Sequence, residues 1–145
     1  MSGVTTYSED IANKICDIIS TTSRGLSSIC SEPNMPSPST VYKWLNDIQG
    51  FSDKYARARV LQADFLSDEI IEIADDSSRD TKTITTRSGE DIEVENTEWV
   101  NRSKLMVEAR KWKASKLAPK KYGDKLDLTS DGEKLKGTVV QWGDR

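Results

Sequence analysis

Histidine is absent from all 145 residues, and only two cysteines, four prolines and two phenylalanines are present. Without histidine there is no Ser-His-Asp or Cys-His nucleophile, and none of the usual His-bearing zinc sites. Cys16 and Cys30 are too few for a disulfide framework or a four-thiolate site. They lie in helix-like segments and are expected to act as small hydrophobes in a reducing compartment. No apolar run approaches the ~20 residues that a membrane span needs. The opening MSGVTTYSED has neither a basic region nor an apolar run, so no signal peptide is expected. A G-x-x-x-x-G-K-[ST] phosphate loop is missing, as is any convincing carboxylate cluster. These absences point to a soluble, intracellular, non-enzymatic protein with no cofactor and no metal.

Charge is plentiful, at 31% of residues, and it is segregated. The net charge of −3 divides into −2 over residues 1–50, −4 over 51–76, −3 over 77–98, +7 over 99–125 and −1 over 126–145. A basic segment that follows two acidic ones suits either a polyanionic partner or self-association between faces of opposite sign. Solvated charged faces are the plainer alternative for the acidic runs.

The first 50 residues read as three short helices. Ser8 is placed to cap the first, with Glu9 and Asp10 in its first turn and Ile11, Ile15, Ile18 and Ile19 on one stripe. A second short helix turns Leu26, Ile29 and Cys30 inward. The SEPNMPSP segment at 31–38 must turn. Ser37 then caps a third helix with Pro38 at its first position, carrying Val41, Trp44, Leu45 and Ile48 on the buried side. Trp44 is expected in the core rather than as a stacking platform. Gly50 is expected to break the chain before a long helix from Phe51 to about Asp75, whose apolar residues exceed one narrow stripe. That surplus fits either a second subunit or a wide internal core face.

From 79 to 96 the period changes to strand-like alternation about Ser88-Gly89, which reads as a β-hairpin or, failing that, a flexible loop. A two-residue loop there would set Arg87 against Glu90 and Lys82 against Glu95. Helix resumes from Glu98 to about Leu117, with Trp99, Met106, Ala109, Trp112 and Leu117 as inward candidates, and Pro119 stops it. In the tail, GTVVQWG at 137–143 is a short strand-like run without an evident partner.

Three short helices with a tight turn before the third describe a helix-turn-helix unit. Its candidate DNA contacts are Ser37, Ser39, Thr40, Tyr42 and Lys43 at the start of the third helix. Hydroxyls and first-turn amides suit a phosphate oxygen, and Tyr42 and Lys43 have the reach for bases or backbone. The alternative is a three-helix core that binds no DNA. At net −2, one copy is expected to bind near the non-specific range of ~10⁻⁴–10⁻⁶ M, so useful affinity requires several copies on one DNA.

The stretches PNMPSPSTVYKWL (33–45), FSDKYARAR (51–59), EIIEIADD (69–76) and ARKWKASKLAPKKYGDKL (109–126), in this order, resemble the small terminase subunits of tailed double-stranded-DNA bacteriophages. That resemblance implies a mainly α fold. Its parts would be an N-terminal helix-turn-helix domain at 1–50 and a long-helix oligomerisation core at 51–125, from whose helices the possible hairpin at about 79–96, read from its own pattern, would project. A tail with a short strand would come last, at 126–145.

The same resemblance implies a non-catalytic, ring-forming component of viral genome packaging in the host cell cytoplasm. Its implied partners are viral double-stranded DNA, further copies of itself and the large terminase subunit, which supplies ATPase and nuclease. Phe65, Ile70, Ile73, Met106 and Trp112 are the expected oligomer-interface residues. In such a ring the acids Asp64, Asp68, Glu69 and Glu72 would meet Arg102, Lys104, Arg110 or Lys113, in the same or a neighbouring subunit. Lys111, Lys113, Lys116, Lys120 and Lys121 have DNA contact as a competing use. A dimeric helix-turn-helix transcription regulator and a purely structural adaptor are the rival readings.

Overall fold

The computed structural model describes residues 5–124, 129–130 and 133–134. Three short helices come first: α1 (Glu9–Thr21), α2 (Leu26–Cys30) and α3 (Pro38–Asp47). Ser8 caps α1 as its position suggested, its side chain accepting from the Ile11 N–H. Ser37 does the same for α3 through the Thr40 N–H, with Pro38 in the first turn. Between α2 and α3, Asn34 takes φ of 63°, the left-handed conformation that asparagine tolerates better than most residues. Met35 and Pro36, both buried, pin the turn against the core.

That core gathers Ala12, Ile15 and Ile19 of α1, Leu26 and Ile29 of α2, and Val41 and Trp44 of α3. Trp44 is inside, as expected. Tyr7, Trp44, Phe51 and Tyr55 form a chain of edge-to-face aromatic contacts with centroids 5.3–6.2 Å apart, worth ~0.5–1.5 kcal/mol per pair beyond the area they bury.

α4 runs from Gln49 to Asp75, 27 residues, or about 40 Å at the α-helical rise. Its start corrects the expected break at Gly50. Ile48 is at once the last boundary of α3 and the first of α4, and Gly50 lies inside α4's opening turn. First-turn N–H groups have no intrahelical partner to lose, so glycine breaks nothing there. Phe51 and Ala58 of α4 belong to the N-terminal core, so the start of this helix completes that core and its remainder extends past it.

After α4 come β1 (Thr81–Thr85) and β2 (Asp91–Glu95), an antiparallel hairpin. Its register differs by one residue from the expected one. The loop is Arg87-Ser88-Gly89, closed by Gly89 N–H to Thr86 C=O at 2.9 Å and Thr86 N–H to Glu90 C=O at 2.8 Å. Gly89 sits at φ of 83°, the left-handed residue that ends a three-residue hairpin loop. Lys82 therefore faces Val94, and Thr81 faces Glu95. Neither expected ion pair forms among the described residues. Threonine hydroxyls bond carboxylates instead, Thr81 to Glu93 and Thr85 to Asp91.

α5 (Thr97–Leu117) returns antiparallel beside α4, capped by Asn96. α6 (Pro119–Tyr122) is a single turn that begins at the proline that ends α5. Gly123 must be small there, because a Cβ would meet the Pro119 carbonyl oxygen at 2.4 Å. The α4–α5 pair has a small core of Ala63, Leu66, Ala114 and Ala118. Two inward expectations on α5 are corrected: Ala109 is exposed and Trp112 is 62% exposed. The alanines that seat α5 on α4 lie on another face, where small side chains let the helices approach closely. Short strands β3 (Thr129–Ser130) and β4 (Glu133–Lys134) pair with each other, and the strand-like run at 137–143 lies outside the described residues.

Candidate nucleic-acid interface

The five sequence-selected residues of α3 fall together at its N-terminal, solvent-facing end. Ser39, Tyr42 and Lys43 are exposed, opposite buried Val41 and Trp44. Ser37 Oγ lies 3.0 Å from Ser39 Oγ and 3.0 Å from Thr40 Oγ1, and accepts from the Thr40 N–H at 3.3 Å. Ser37 thus holds the helix start and spaces the other hydroxyls around it. The result is a hydroxyl cluster over first-turn amides, flanked by an exposed phenol and an ammonium. Such a cluster suits a phosphate oxygen and adjoining base edges.

A buried glutamine, which no sequence motif marks, joins this head to the long helices. Gln62 is 2% exposed. Its Nε2 donates to the carbonyls of Thr22 and Arg24 at 2.9 and 3.0 Å, and its Oε1 accepts from Arg59 at 2.6 Å. A second tie is Lys54 of α4, which donates to Glu9 of α1 at 2.6 Å and to Asn13 at 3.1 Å. That ammonium, with the Tyr7 hydroxyl, holds the Glu9 carboxyl below its ordinary range.

Along α4 and α5 the acidic and basic runs meet within one protomer. Arg110 bonds Glu69 at 2.7 Å with both side chains about one-fifth exposed. Lys121 and the Tyr122 hydroxyl both donate to Asp64, at 2.5 and 2.6 Å, and pull its carboxyl below the usual value, Lys121 most strongly. Lys121 is thereby engaged inside the protomer rather than free for DNA. Arg102, Lys104, Asp68 and Glu72 form no ion pair among the described residues.

The five expected interface residues all retain exposure: Phe65, Ile70, Ile73 and Met106 are half-buried and Trp112 is open. Leu105 joins them at 67% exposed and Ile71 at 61%. Leu105 was not legible in the sequence because the basic α5 pattern hides its apolar stripe, although Leu105-Met106-Val107 was the available signal. Among the described residues no group of His, Cys, Asp and Glu could hold a metal ion, and no helix is long and apolar enough to cross a membrane.

Fold and site together define a helix-turn-helix head on a long α-helical hairpin. Residues 7–129 match the family described as bacteriophage Sf6, terminase small subunit-like. Solved structures agree. A variant of the terminase small subunit gp1 of the bacterial virus Sf6 superposes with a TM-score of 0.67 at 32% identity, covering 92% of this chain and 97% of that one. A second variant gives 0.66 at 30% identity, covering 97% and 98%. No curated protein sequence matches. The chain belongs to this family of phage small terminase subunits, and its role is in phage genome packaging.

Proposed function

We propose that this chain assembles into a ring, contacts viral double-stranded DNA through α3 of its helix-turn-helix unit, and recruits or regulates the large terminase subunit in the host cytoplasm. The chemistry of cutting and translocation belongs to that larger partner. Residues 1–50 are the DNA-reading part, 51–125 the assembly core, and 126–145 the tail that meets the large subunit.

The observation that supports the DNA reading is the edge of α3 formed by exposed Ser39, Tyr42 and Lys43 and half-buried Thr40, held by the Ser37 cap over buried Val41 and Trp44. The observation that supports assembly is the half-open apolar face of Phe65, Ile70, Ile73, Met106 and Trp112. A ring offers each subunit two different faces to its neighbours, a heterologous contact that closes by rotation.

Solution mass and DNA binding test both parts. A mass of several subunits is expected, and a stable dimer or monomer would favour a transcription regulator instead. Thr40→Ala with Lys43→Ala should weaken binding to viral DNA and leave the mass unchanged. Unchanged DNA binding would remove α3 from the reading. ATP hydrolysis by the pure chain would contradict the non-catalytic assignment.

A further inference from the structure

We propose that the groove lined by the 23–27 segment, Tyr42 of α3, Arg59 of α4 and Lys113 of α5 is a second phosphate site, in which Arg59 and Lys113 hold the DNA backbone while α3 makes its own contacts. This rests on α3 being the DNA-contacting helix. The groove has a volume of about 270 Å³, with no carboxylate in its lining among the described residues. Tyr42 of α3, Arg59 and Gln62 of α4 and Lys113 of α5 line it together with the 23–27 segment, which includes Arg24. With Tyr42 60% exposed and Lys113 exposed, the groove opens to solvent along the side that α3 presents.

The three cations differ in what balances them. Arg24 is paired with Glu32 at 2.5 Å and also bonds Ser28. Among the described residues Arg59 is held by neutral acceptors: the Tyr55 hydroxyl at 3.2 and 2.7 Å and Gln62 Oε1 at 2.6 Å. Gln62 is itself fixed by two backbone carbonyls. The guanidinium is therefore positioned without being neutralised. The Lys113 ammonium makes no hydrogen bond or ion pair among the described residues.

By contrast Arg110, Lys121 and Lys54, on the same two helices and on α6, each have a carboxylate within 2.7 Å. A half-buried charge without a counter-ion is unfavourable, and an incoming anion relieves it. A held guanidinium, an ammonium and a phenol O–H that line one groove offer the donors that the oxygens of a phosphodiester accept.

The groove also explains how an N-terminal segment of net −2 meets a polyanion. The fold brings Lys113, from the +7 segment, alongside the third helix. Phosphate contacts set affinity and register without reading sequence, so the groove would hold the backbone while α3 meets the bases.

The test uses the full-length assembled protein and a viral duplex over a salt series. Lys113→Gln should lower the slope of log affinity against log salt by about one unit per engaged subunit. Arg59→Gln with Lys113→Gln should lower it by about two and weaken binding about tenfold, with Lys113→Arg restoring the single variant. Circular dichroism and light scattering report fold and mass for each.

If the pair of groove variants binds as the parent does while Thr40→Ala with Lys43→Ala weakens binding, the groove proposal fails and the α3 reading stands. If neither pair has an effect, both fail. If the groove variants break up the assembly while intact particles keep the parent slope, the groove holds a neighbour's carboxylate and the proposal is overturned.

Discussion

The head and the α4–α5 arm carry comparable apolar content and use it differently. In the head, Ile15, Ile19, Ile29, Val41 and Phe51 are completely enclosed, although α1, α2 and α3 span only 13, 5 and 10 residues. In the arm, no residue from Ser67 of α4 to Lys113 of α5 is fully buried, although the two helices span 27 and 21 residues. The arm instead shows Ile71, Leu105 and Trp112 more than 60% exposed. Helices owe most of their stability to the packing of an apolar face, and large exposed patches mark interaction sites. The head, completed by the start of α4, encloses its apolar residues, whereas the arm leaves several of its own exposed, the surface that the assembly proposal would cover.

Substitutions separate the two regions by size of effect. Phe51→Ala should destabilise the head most, by ~3–5 kcal/mol, because the side chain is fully enclosed between Tyr7, Trp44 and Tyr55. Denaturant titration of the purified protein should show the midpoint falling well below the parent's. At the junction, Gln62→Ala should cost ~1–3 kcal/mol by leaving the Thr22 and Arg24 carbonyls without their donor. Hydrogen exchange should rise around residues 22–24 before it rises in α5, and uniform protection would contradict the stapling role.

Acid offers a smaller, pH-dependent probe of the arm. Asp64 has its carboxyl lowered in the folded chain by Lys121 and Tyr122. It therefore contributes stability that is present above the ordinary value of 3.8 and is lost as pH falls below it. Asp64→Asn should flatten that part of the pH–stability curve and cost at most ~1 kcal/mol at neutral pH, since the pair is partly exposed. The smallest effect on the protomer is expected from Leu105→Ala with Trp112→Ala, within ~0.5 kcal/mol. Light scattering should nonetheless show a reduced particle mass, and an unchanged mass would mean that this face is not the contact surface.

How far the sequence could be read depended on whether the deciding interaction was local. Caps were legible: Ser8 before an acidic first turn and Ser37-Pro38 before Val41 both start helices where expected. The hairpin was legible as an element but not in register, because one extra loop residue, Arg87, moves every cross-strand partner. The start of α4 was misplaced because glycine is disruptive inside a helix but harmless in a first turn. Trp112 was placed inside on its hydrophobicity, yet a basic helix with only Ala114 fully buried seats itself on alanine and leaves the indole outward. The candidate DNA contacts of α3 were recognisable from their position behind a cap. The Arg59–Lys113 groove was not, since its two cations lie on different helices, 54 positions apart in the sequence.

The sequence by itself determined the α-helical class, the helix-turn-helix, the segregation of charge and the family resemblance, all of which reside in short-range pattern. Only the tertiary structure decided which acids neutralise which bases. It pairs Glu69 with Arg110 and Asp64 with Lys121, and among the described residues leaves Arg59 and Lys113 without a carboxylate in a groove that Tyr42 of α3 also lines. Coulomb interactions depend on distance in space and on burial. A count along the chain can report an excess of +7, but not which of those charges remain to be met by another molecule.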